Sequence, residues 1–214
     1  MRSDHKFKFI LASQSPRRKE LIGHLQIPFE IISPTGDELS EEIDPQLLAQ
    51  ELALRKAKEV EQVAQKKFLS HGTLVLAADT VVALDGQLLG KPQGVEQARE
   101  MLNILSGRTH LVCTGVCLSG QNDMNKFEKT WVAVSKVCFR QFTPDILELY
   151  LKTGESLDKA GAYGIQGAGL LFVESVEGSY SNVVGLPLDQ VVVEVKNMLN
   201  LFGVGKQNWQ NVFI

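Results

Sequence analysis

The sequence is short of long apolar runs, of cysteine and of basic charge. No apolar run approaches the ~20 residues that a membrane-spanning helix needs, and no signal peptide is evident, so no membrane association is expected. The 22 basic residues are outnumbered by 25 acidic ones, which argues against stable nucleic-acid binding because such binding needs a basic face. Three cysteines, Cys113, Cys117 and Cys138, are an odd number in strand-like segments. They are expected to be buried free thiols in a reducing cytoplasm.

Several signatures of familiar enzyme classes are also missing. The four histidines show no metal-ligand spacing, which argues against a zinc site. The glycines between 161 and 169 do not match the GxGxxG pattern and follow no opening strand, so a dinucleotide-binding fold is disfavoured. No Gly-x-Ser-x-Gly elbow is present to indicate an esterase.

The sequence does contain strand-like and helix-like segments in alternation. This alternation predicts a single α/β unit, followed from Gly203 onward by a loose tail that Trp209 and Phe213 could dock. Strands are predicted at 7–11, 29–32, 73–84, 87–90, 110–119, 127–140 and 170–177, and helices beginning at 16, 45, 94, 144 and 187.

The longest predicted helix runs from Pro45 to Lys67, with Asp44 as its N-cap. Lys56 lies beside an apolar stripe on this helix and, taken alone, is expected on the solvated face. The stripe predicts a buried face because its members recur at helical spacing. Its members are Leu47, Leu48, Leu52, Ala53, Ala57, Val60 and Ala64.

The first predicted helix begins with an unusual charge pattern. Ser15 is suited to the N-cap and Pro16 to the first helical position. Arg17, Arg18 and Lys19 then fill the first turn, where the helix dipole disfavours cations by roughly 0.3–1 kcal/mol each. Free backbone N–H groups and three cations at one point form an anion site, and we expect its anion to be a polyphosphate.

Asp79 interrupts the apolar strand predicted at 73–84. A carboxylate in the middle of a core strand is costly unless it is paired, binds a metal or lies at the strand end. A bulge or an internal hydrogen bond is the structural alternative. A catalytic or metal-binding role is favoured, because working sites tolerate such costs.

Two loops carry further candidate residues. The acidic loop 36–42 is typical of a solvated loop, but it could instead place Asp37 or Glu38 in a cleft, against a metal or a sugar hydroxyl. Four glycines within residues 161–169 indicate unusual backbone angles, or simply a pair of turns, around the polar side chain of Gln166. Cations, a carboxylate and such a loop together suit the cleavage of a phosphoanhydride, because cations neutralise phosphate oxygens while the carboxylate orients water or Mg²⁺.

At these residues the sequence resembles the Maf family of nucleoside triphosphate pyrophosphatases, relatives of inosine triphosphate pyrophosphatase. Six motifs occur in the family's order over about residues 8 to 200, which leaves 201–214 as a C-terminal tail of a single Maf-like α/β domain, 1–214. The motifs are Leu11-Ala-Ser-x-Ser-Pro-Arg-Arg18, Ala78-Asp-Thr80, Lys91-Pro92, Leu105-Ser-Gly107, Asp158-Lys-Ala-Gly-Ala-Tyr-Gly-Ile-Gln166 and Val184-Gly-Leu-Pro187.

The resemblance implies a fold, an activity and a set of site residues. The implied fold is α/β, with an elongated mixed β-sheet, flanking helices and two lobes around a central cleft. The implied activity is hydrolysis of a nucleoside triphosphate to the monophosphate and pyrophosphate, with Asp79 as the catalytic acidic residue and a tentative metal ligand. Ser13, Arg17, Arg18, Lys56 and Lys91 would contact the triphosphate, and Glu38 would assist metal or ribose binding.

Three positions separate the branches of the family. Here they are Arg17, Thr80 and Gln166, and the trio resembles the branch that acts on dTTP and UTP. A glutamine amide donates and accepts, so it can pair with the O4/N3 edge of uracil or thymine. Two alternatives stay open: the same reaction on 7-methyl-GTP or another modified nucleotide, and a non-catalytic nucleotide-binding regulator of cell division. The resemblance also implies a divalent cation, Mg²⁺ or Mn²⁺, and a homodimer.

Overall fold

A computed structural model describes residues 6–69, 71–122, 125–204 and 209–214. A mixed seven-stranded sheet with helices packed around it forms the fold, as the sequence predicts. The strands are Phe7–Ala12 (β1), Glu30–Ile31 (β2), Gly72–Leu84 (β3), Gln87–Leu89 (β4), Thr109–Gln121 (β5), Lys126–Phe139 (β6) and Val173–Glu177 (β7). The helices are Pro16–Gly23 (α1), Pro45–Lys67 (α2), Val95–Leu105 (α3), Pro144–Leu151 (α4), Tyr180–Val184 (α5) and Leu188–Leu201 (α6).

The strand order brings the first helix start beside Asp79. The order is β2-β1-β3-β5-β6-β7, with β4 paired to β3. Strand β1 is parallel to β2 and β3, whereas the remaining pairs are antiparallel. Ala12, the last residue of β1, pairs with Ala77, and β3 continues past that point to Asp79. The loop that leads into α1 therefore leaves the sheet next to the strand carboxylate.

The core contains two large apolar clusters that meet at a cleft. One packs β1, α1 and α6 and includes Ile165 and Val184, while the other packs α3 and α4 and includes Val82 and Tyr163. All four of these residues also line the cleft. The cleft therefore opens between two packed bodies, which agrees with the two-lobed arrangement that the resemblance implies.

Helix α2 packs unusually close to the sheet. Gly115 in β5 has no side chain, and a Cβ built there would lie 2.0 Å from the carbonyl oxygen of Ala49. The bounds of α2 are those predicted, and the side chain of its N-cap Asp44 accepts from two backbone N–H groups. The predicted stripe is buried from Leu52 onward and Leu48 is half-buried, but Leu47, which was also expected in it, is 54% exposed.

Two elements differ from the prediction near the end of the chain. Strand β7 begins at Val173 rather than at 170, because Gly167–Leu171 forms a 3-10 helix that leaves Leu170 exposed. Helix α5 was not predicted, since five residues are too few to show helical periodicity.

The last described residues dock onto the sheet. Phe213 forms a parallel bridge to Phe7, and the Ile214 N–H donates to the Phe7 carbonyl at 3.1 Å. Trp209 and Phe213 are buried in the cluster around β1. The prediction of a loose tail is therefore wrong for 209–214, where the docked alternative is found, and residues 205–208 of that tail lie outside the described part of the chain.

The three cysteines were expected to be buried free thiols. All three cysteines are free thiols. Cys113 and Cys117 are buried as predicted, and Cys138 is half-buried. Burial raises the pKa of both Cys113 and Cys117 to about 11. Within the described ranges, no helix combines the length and the apolar character that crossing a membrane requires.

His110 is a buried histidine on β5 whose protonation is coupled to folding. Its Nε2 lies 2.7 Å from the hydroxyl of Tyr163, and its ring stands edge-on to Phe139. Burial lowers the pKa of His110 from 6.5 to about 4. The unfolded chain therefore takes up a proton as the pH falls below 6.5 while the folded protein does not, and stability is lost between about pH 6.5 and pH 4.

We expect this single group to remove up to about 3 kcal/mol of stability across that interval. His110→Gln keeps a polar atom facing Tyr163 but cannot titrate, so the decline should be shallower in the variant even if its stability at neutral pH is lower. Urea midpoints measured from pH 7 to pH 4 provide the comparison. His24→Gln, at an exposed histidine, is the control. Parallel curves for wild type and His110→Gln would contradict the assignment.

Candidate active site

The start of α1 has the capping predicted from the sequence. The side chain of Ser15 accepts from the Arg18 N–H at 3.4 Å, and Pro16 opens the helix. The Ser15 N–H in turn donates to the hydroxyl of Ser13, which is buried at the end of β1. These short-range bonds fix the turn that brings Arg17 and Arg18 to the cleft.

The guanidinium of Arg18 is held by three neutral acceptors. Its Nε donates to the carbonyl of Gly185 at 2.9 Å, Nη1 to Ser13 Oγ at 3.3 Å and Nη2 to Thr80 Oγ1 at 3.0 Å. Burial lowers the pKa of Arg18, and the nearby charge of Asp79 opposes that effect. Among the described residues no ion pair to Arg18 is found. Its charge is therefore oriented by the fold without being neutralised by a direct partner.

Arg17 is held more loosely than Arg18. Its Nη1 lies 3.6 Å from the Asp158 carboxylate, and that carboxylate is largely exposed. Lys159 also donates to Asp158, at 2.6 Å. Exposed ion pairs of this kind contribute little stability because water screens them. The Arg17 side chain can therefore exchange this partner for a phosphate at low cost.

Asp79, Lys56 and Glu38 form a charged triad at the cleft. The Lys56 Nζ lies 2.5 Å from Asp79 Oδ1 and 2.5 Å from Glu38 Oε1. Both carboxylates therefore converge on one ammonium group, and the hydrogen bond from Lys56 lowers the pKa of Glu38. The Lys56 side chain is only 14% exposed, so the expectation of a solvated lysine is wrong. Pairing offsets the cost of placing Asp79, 8% exposed, within a core strand.

The glycine-rich segment and the hairpin loop meet at the cleft. The Gly161 N–H donates to the carbonyl of Gly90, next to exposed Lys91. Positive φ angles occur at Gly161 (68°) and Ala162 (62°), which agrees with the unusual backbone angles expected of this segment. Gln166 precedes the following 3-10 helix. The segment thus places a neutral amide in the same cleft as the cations.

The cleft has a volume of about 400 Å³, and all nine predicted site residues line it. Their individual roles remain predictions. Sequence reasoning did not single out Lys159 and Tyr163, which also line the cleft, although both fall within the glycine-rich motif. The nine residues are Ser13, Arg17, Arg18, Glu38, Lys56, Asp79, Thr80, Lys91 and Gln166.

The two carboxylates of the triad, Asp79 and Glu38, are suited to a divalent metal ion whose other ligands come from the substrate. Over the described ranges, no group of three or more His, Cys, Asp or Glu side chains is placed to hold a metal ion. Mg²⁺ is commonly held by one or two carboxylates together with substrate phosphates and water. Asp79 and Glu38, joined through Lys56, provide such a pair of oxygen donors. The donor set therefore fits Mg²⁺ or Mn²⁺ in the presence of a polyphosphate.

The chain is similar in sequence to the proteins of one family. A family model described as Maf-like protein matches residues 8–198. A dTTP/UTP pyrophosphatase of Thermococcus kodakarensis is 46% identical over 84% of this chain and 91% of its own length. One of Moorella thermoacetica is 46% identical, over 92% and 96% of the two chains. The structure of a HAM1 protein from Coxiella burnetii aligns at 17% identity and a TM-score of 0.34, over 59% of this chain and 72% of that chain.

Proposed function

Because the chain belongs to the Maf family, we propose that it is a hydrolase that converts dTTP and UTP to the nucleoside monophosphate and pyrophosphate. The observation that carries this proposal is the cleft itself. A buried carboxylate, Asp79, lines the same cleft as a group of cations that includes Arg17, Arg18 and Lys91. Polyphosphate cleavage needs this combination, because negative charge must be held while a water molecule is activated.

Asp79 is the proposed general base. A water oxygen forms a bond to the α-phosphorus, the bond from that phosphorus to the α–β bridging oxygen breaks, and pyrophosphate leaves with the bridging oxygen. The water proton passes to the Asp79 carboxylate, which Lys56 holds in place at 2.5 Å. Arg18 is pre-oriented by its three acceptors, and with Arg17 and Lys91 it holds the oxygens of the triphosphate and of the leaving pyrophosphate.

A divalent cation completes the proposed site. Asp79 and Glu38 would hold it, and when bound it would polarise a phosphate oxygen and offset the charge of the triphosphate. The support is the donor set described above: two carboxylates that already converge on one cationic group. Mg²⁺ is the first choice and Mn²⁺ the alternative, since both prefer oxygen donors.

The pyrimidine preference rests on three side chains of the cleft. Gln166 offers both a donor and an acceptor, which suits the O4/N3 edge of uracil and thymine. A carboxylate at that position would suit a methylated, cationic guanine better. Arg17 and Thr80 are the other two residues of the trio, and both line the same cleft.

A nucleotide panel tests the activity and the preference together. With Mg²⁺, we expect UTP, dTTP, 5-methyl-UTP and pseudo-UTP to release pyrophosphate at least about tenfold faster than purine triphosphates, because mismatched polar groups in a pocket are costly. A colorimetric pyrophosphate assay gives the rates, and excess EDTA should stop them. A clear lead for 7-methyl-GTP would contradict the pyrimidine preference. Nucleotide binding without pyrophosphate release would favour the non-catalytic regulator.

We further propose that the chain acts as a homodimer in the cytoplasm. The dimer follows from the family resemblance, and Leu149 and Leu170, which are 54% and 56% exposed, are large apolar side chains available for such a contact. Three free thiols support a reducing compartment, where disulfides do not persist. The net charge of −3 supports the expectation that nucleic acid is not a stable partner.

A further inference from the structure

A row of hydroxyl groups runs from Arg18 into the interior of the sheet. Arg18 Nη2 donates to Thr80 Oγ1 at 3.0 Å, and Thr80 Oγ1 lies 3.0 Å from Thr114 Oγ1. Thr114 Oγ1 then donates to the carbonyl of Asn182 at 3.1 Å. Thr114 is completely buried and stands opposite Thr80 in the pairing of β3 with β5.

The protons in this row can be arranged in only one direction. A guanidinium only donates and a carbonyl only accepts, while each hydroxyl has one proton. The proton of Thr114 is used on the carbonyl of Asn182. Thr80 must therefore donate its own proton to Thr114. Toward Arg18 and the cleft, the Thr80 hydroxyl can only accept hydrogen bonds. The order is Arg18 to Thr80 to Thr114 to Asn182.

The far end of the row is firmly anchored. The Asn182 side chain donates to the carbonyl of Val112 at 3.1 Å and to Ser135 Oγ at 2.9 Å, which ties α5 to β5 and β6. Shortly after α5, the carbonyl of Gly185 receives the Arg18 Nε. The short helix thus fixes Arg18 twice, directly through Gly185 and indirectly through Thr114.

We propose that Thr114, which lies behind the cleft and outside its lining, is a positioning residue for the triphosphate site. By accepting the proton of Thr80, it keeps that hydroxyl as an acceptor for Arg18 and holds the guanidinium in place to receive phosphate oxygens. The inference rests on the proposed function and deepens it. Through this contact, buried Thr114 gives the specificity position Thr80 a defined hydrogen-bond polarity.

The test compares variants that differ in one hydroxyl. Thr114→Val keeps the shape of the side chain but removes the hydroxyl. The Thr80 hydroxyl then has no acceptor for its proton, so it can rotate and turn that proton toward the Arg18 guanidinium. Thr114→Ser keeps the hydroxyl. With inorganic triphosphate as the probe and calorimetry as the readout, we expect Thr114→Val to raise Kd about tenfold and Thr114→Ser to stay within about twofold of wild type. Thr114→Ala, a second hydroxyl-free variant, should match Thr114→Val.

A double-mutant cycle separates positioning from a general structural role. Thr80→Val removes the acceptor itself, so adding Thr114→Val to it should weaken binding no further. Equal Kd values for Thr114→Val and wild type, equal losses for Thr114→Val and Thr114→Ser, or additive effects with Thr80→Val would each overturn the inference. Inorganic triphosphate binding does not depend on turnover. If the protein does not hydrolyse UTP, no pyrophosphate is released from UTP, but the Kd differences for inorganic triphosphate can still be measured. The two proposals can therefore fail separately.

Discussion

Asp79→Asn should lower the rate of pyrophosphate release from UTP by about a thousandfold. General-base catalysis contributes 10²–10⁴-fold in typical enzymes, and an amide cannot accept the water proton. The fold should survive, because asparagine has nearly the same shape and Lys56 keeps its second carboxylate partner, Glu38. Measurement of kcat and of the thermal midpoint on the same preparation provides both readouts.

The control for this substitution is Asp37→Asn. Asp37 lies in the same exposed acidic loop as Glu38, but it is not among the residues that line the cleft, and its carboxylate faces Arg55 at 3.6 Å. Its loss should leave kcat within about twofold of wild type, since screened surface pairs contribute little. An Asp79→Asn enzyme that kept a tenth or more of its turnover would show that another group activates the water. A collapse of the thermal midpoint would mean that the Asp79–Lys56 pair supports the fold itself.

Gly115→Ala should destabilise the protein by about 3 kcal/mol or more, at the upper end of what overpacking costs. The added methyl would meet the backbone of Ala49 at 2.0 Å and that of Gln50 at 2.5 Å, and neither can rotate away. The clash is relieved when α2 and β5 move apart. Because α2 also carries Lys56, activity should fall in the fraction that still folds.

Gly23→Ala is the matched control, since no heavy atom lies within 4 Å of a Cβ built at this helix end. Its stability should be unchanged or slightly raised, because alanine is the better helix former. Urea midpoints of the two variants and of wild type measure the difference. A Gly115→Ala midpoint equal to that of Gly23→Ala would show that the close contact between α2 and β5 is not maintained in solution.

The parts of the fold that the sequence predicts are those with strong local signals. The bounds of α2 follow from an N-cap aspartate, a proline and a regular apolar stripe, and the prediction from Pro45 to Lys67 is confirmed. Strand β3 and its turn at Asp85 are confirmed within a residue. Helix α5 and the docking of Phe213 were beyond local reasoning, because a five-residue helix has no period and docking depends on a distant strand.

In the candidate site, too, the residues could be predicted from local signals, but their contacts could not. Short motifs identify its residues, and the structure brings all nine into one cleft. Their pairing could not be read from the sequence, because the partners are distant along the chain. Asp79 is 23 residues from Lys56, and Arg18 is 62 residues from Thr80 and 167 from Gly185. Composition and spacing indicate which groups are present, whereas only packing decides which carboxylate meets which cation.

The docked end of the chain determines where labels can be attached. Ile214 lies beside Phe7 at the amino end of β1, whereas Ser13 follows the carboxyl end of the same strand. Six residues of strand separate the two positions, a distance of about 20 Å. A fluorophore attached at Ile214 would therefore lie far from the cleft. A linker attached there would immobilise the protein on a surface without covering the cleft.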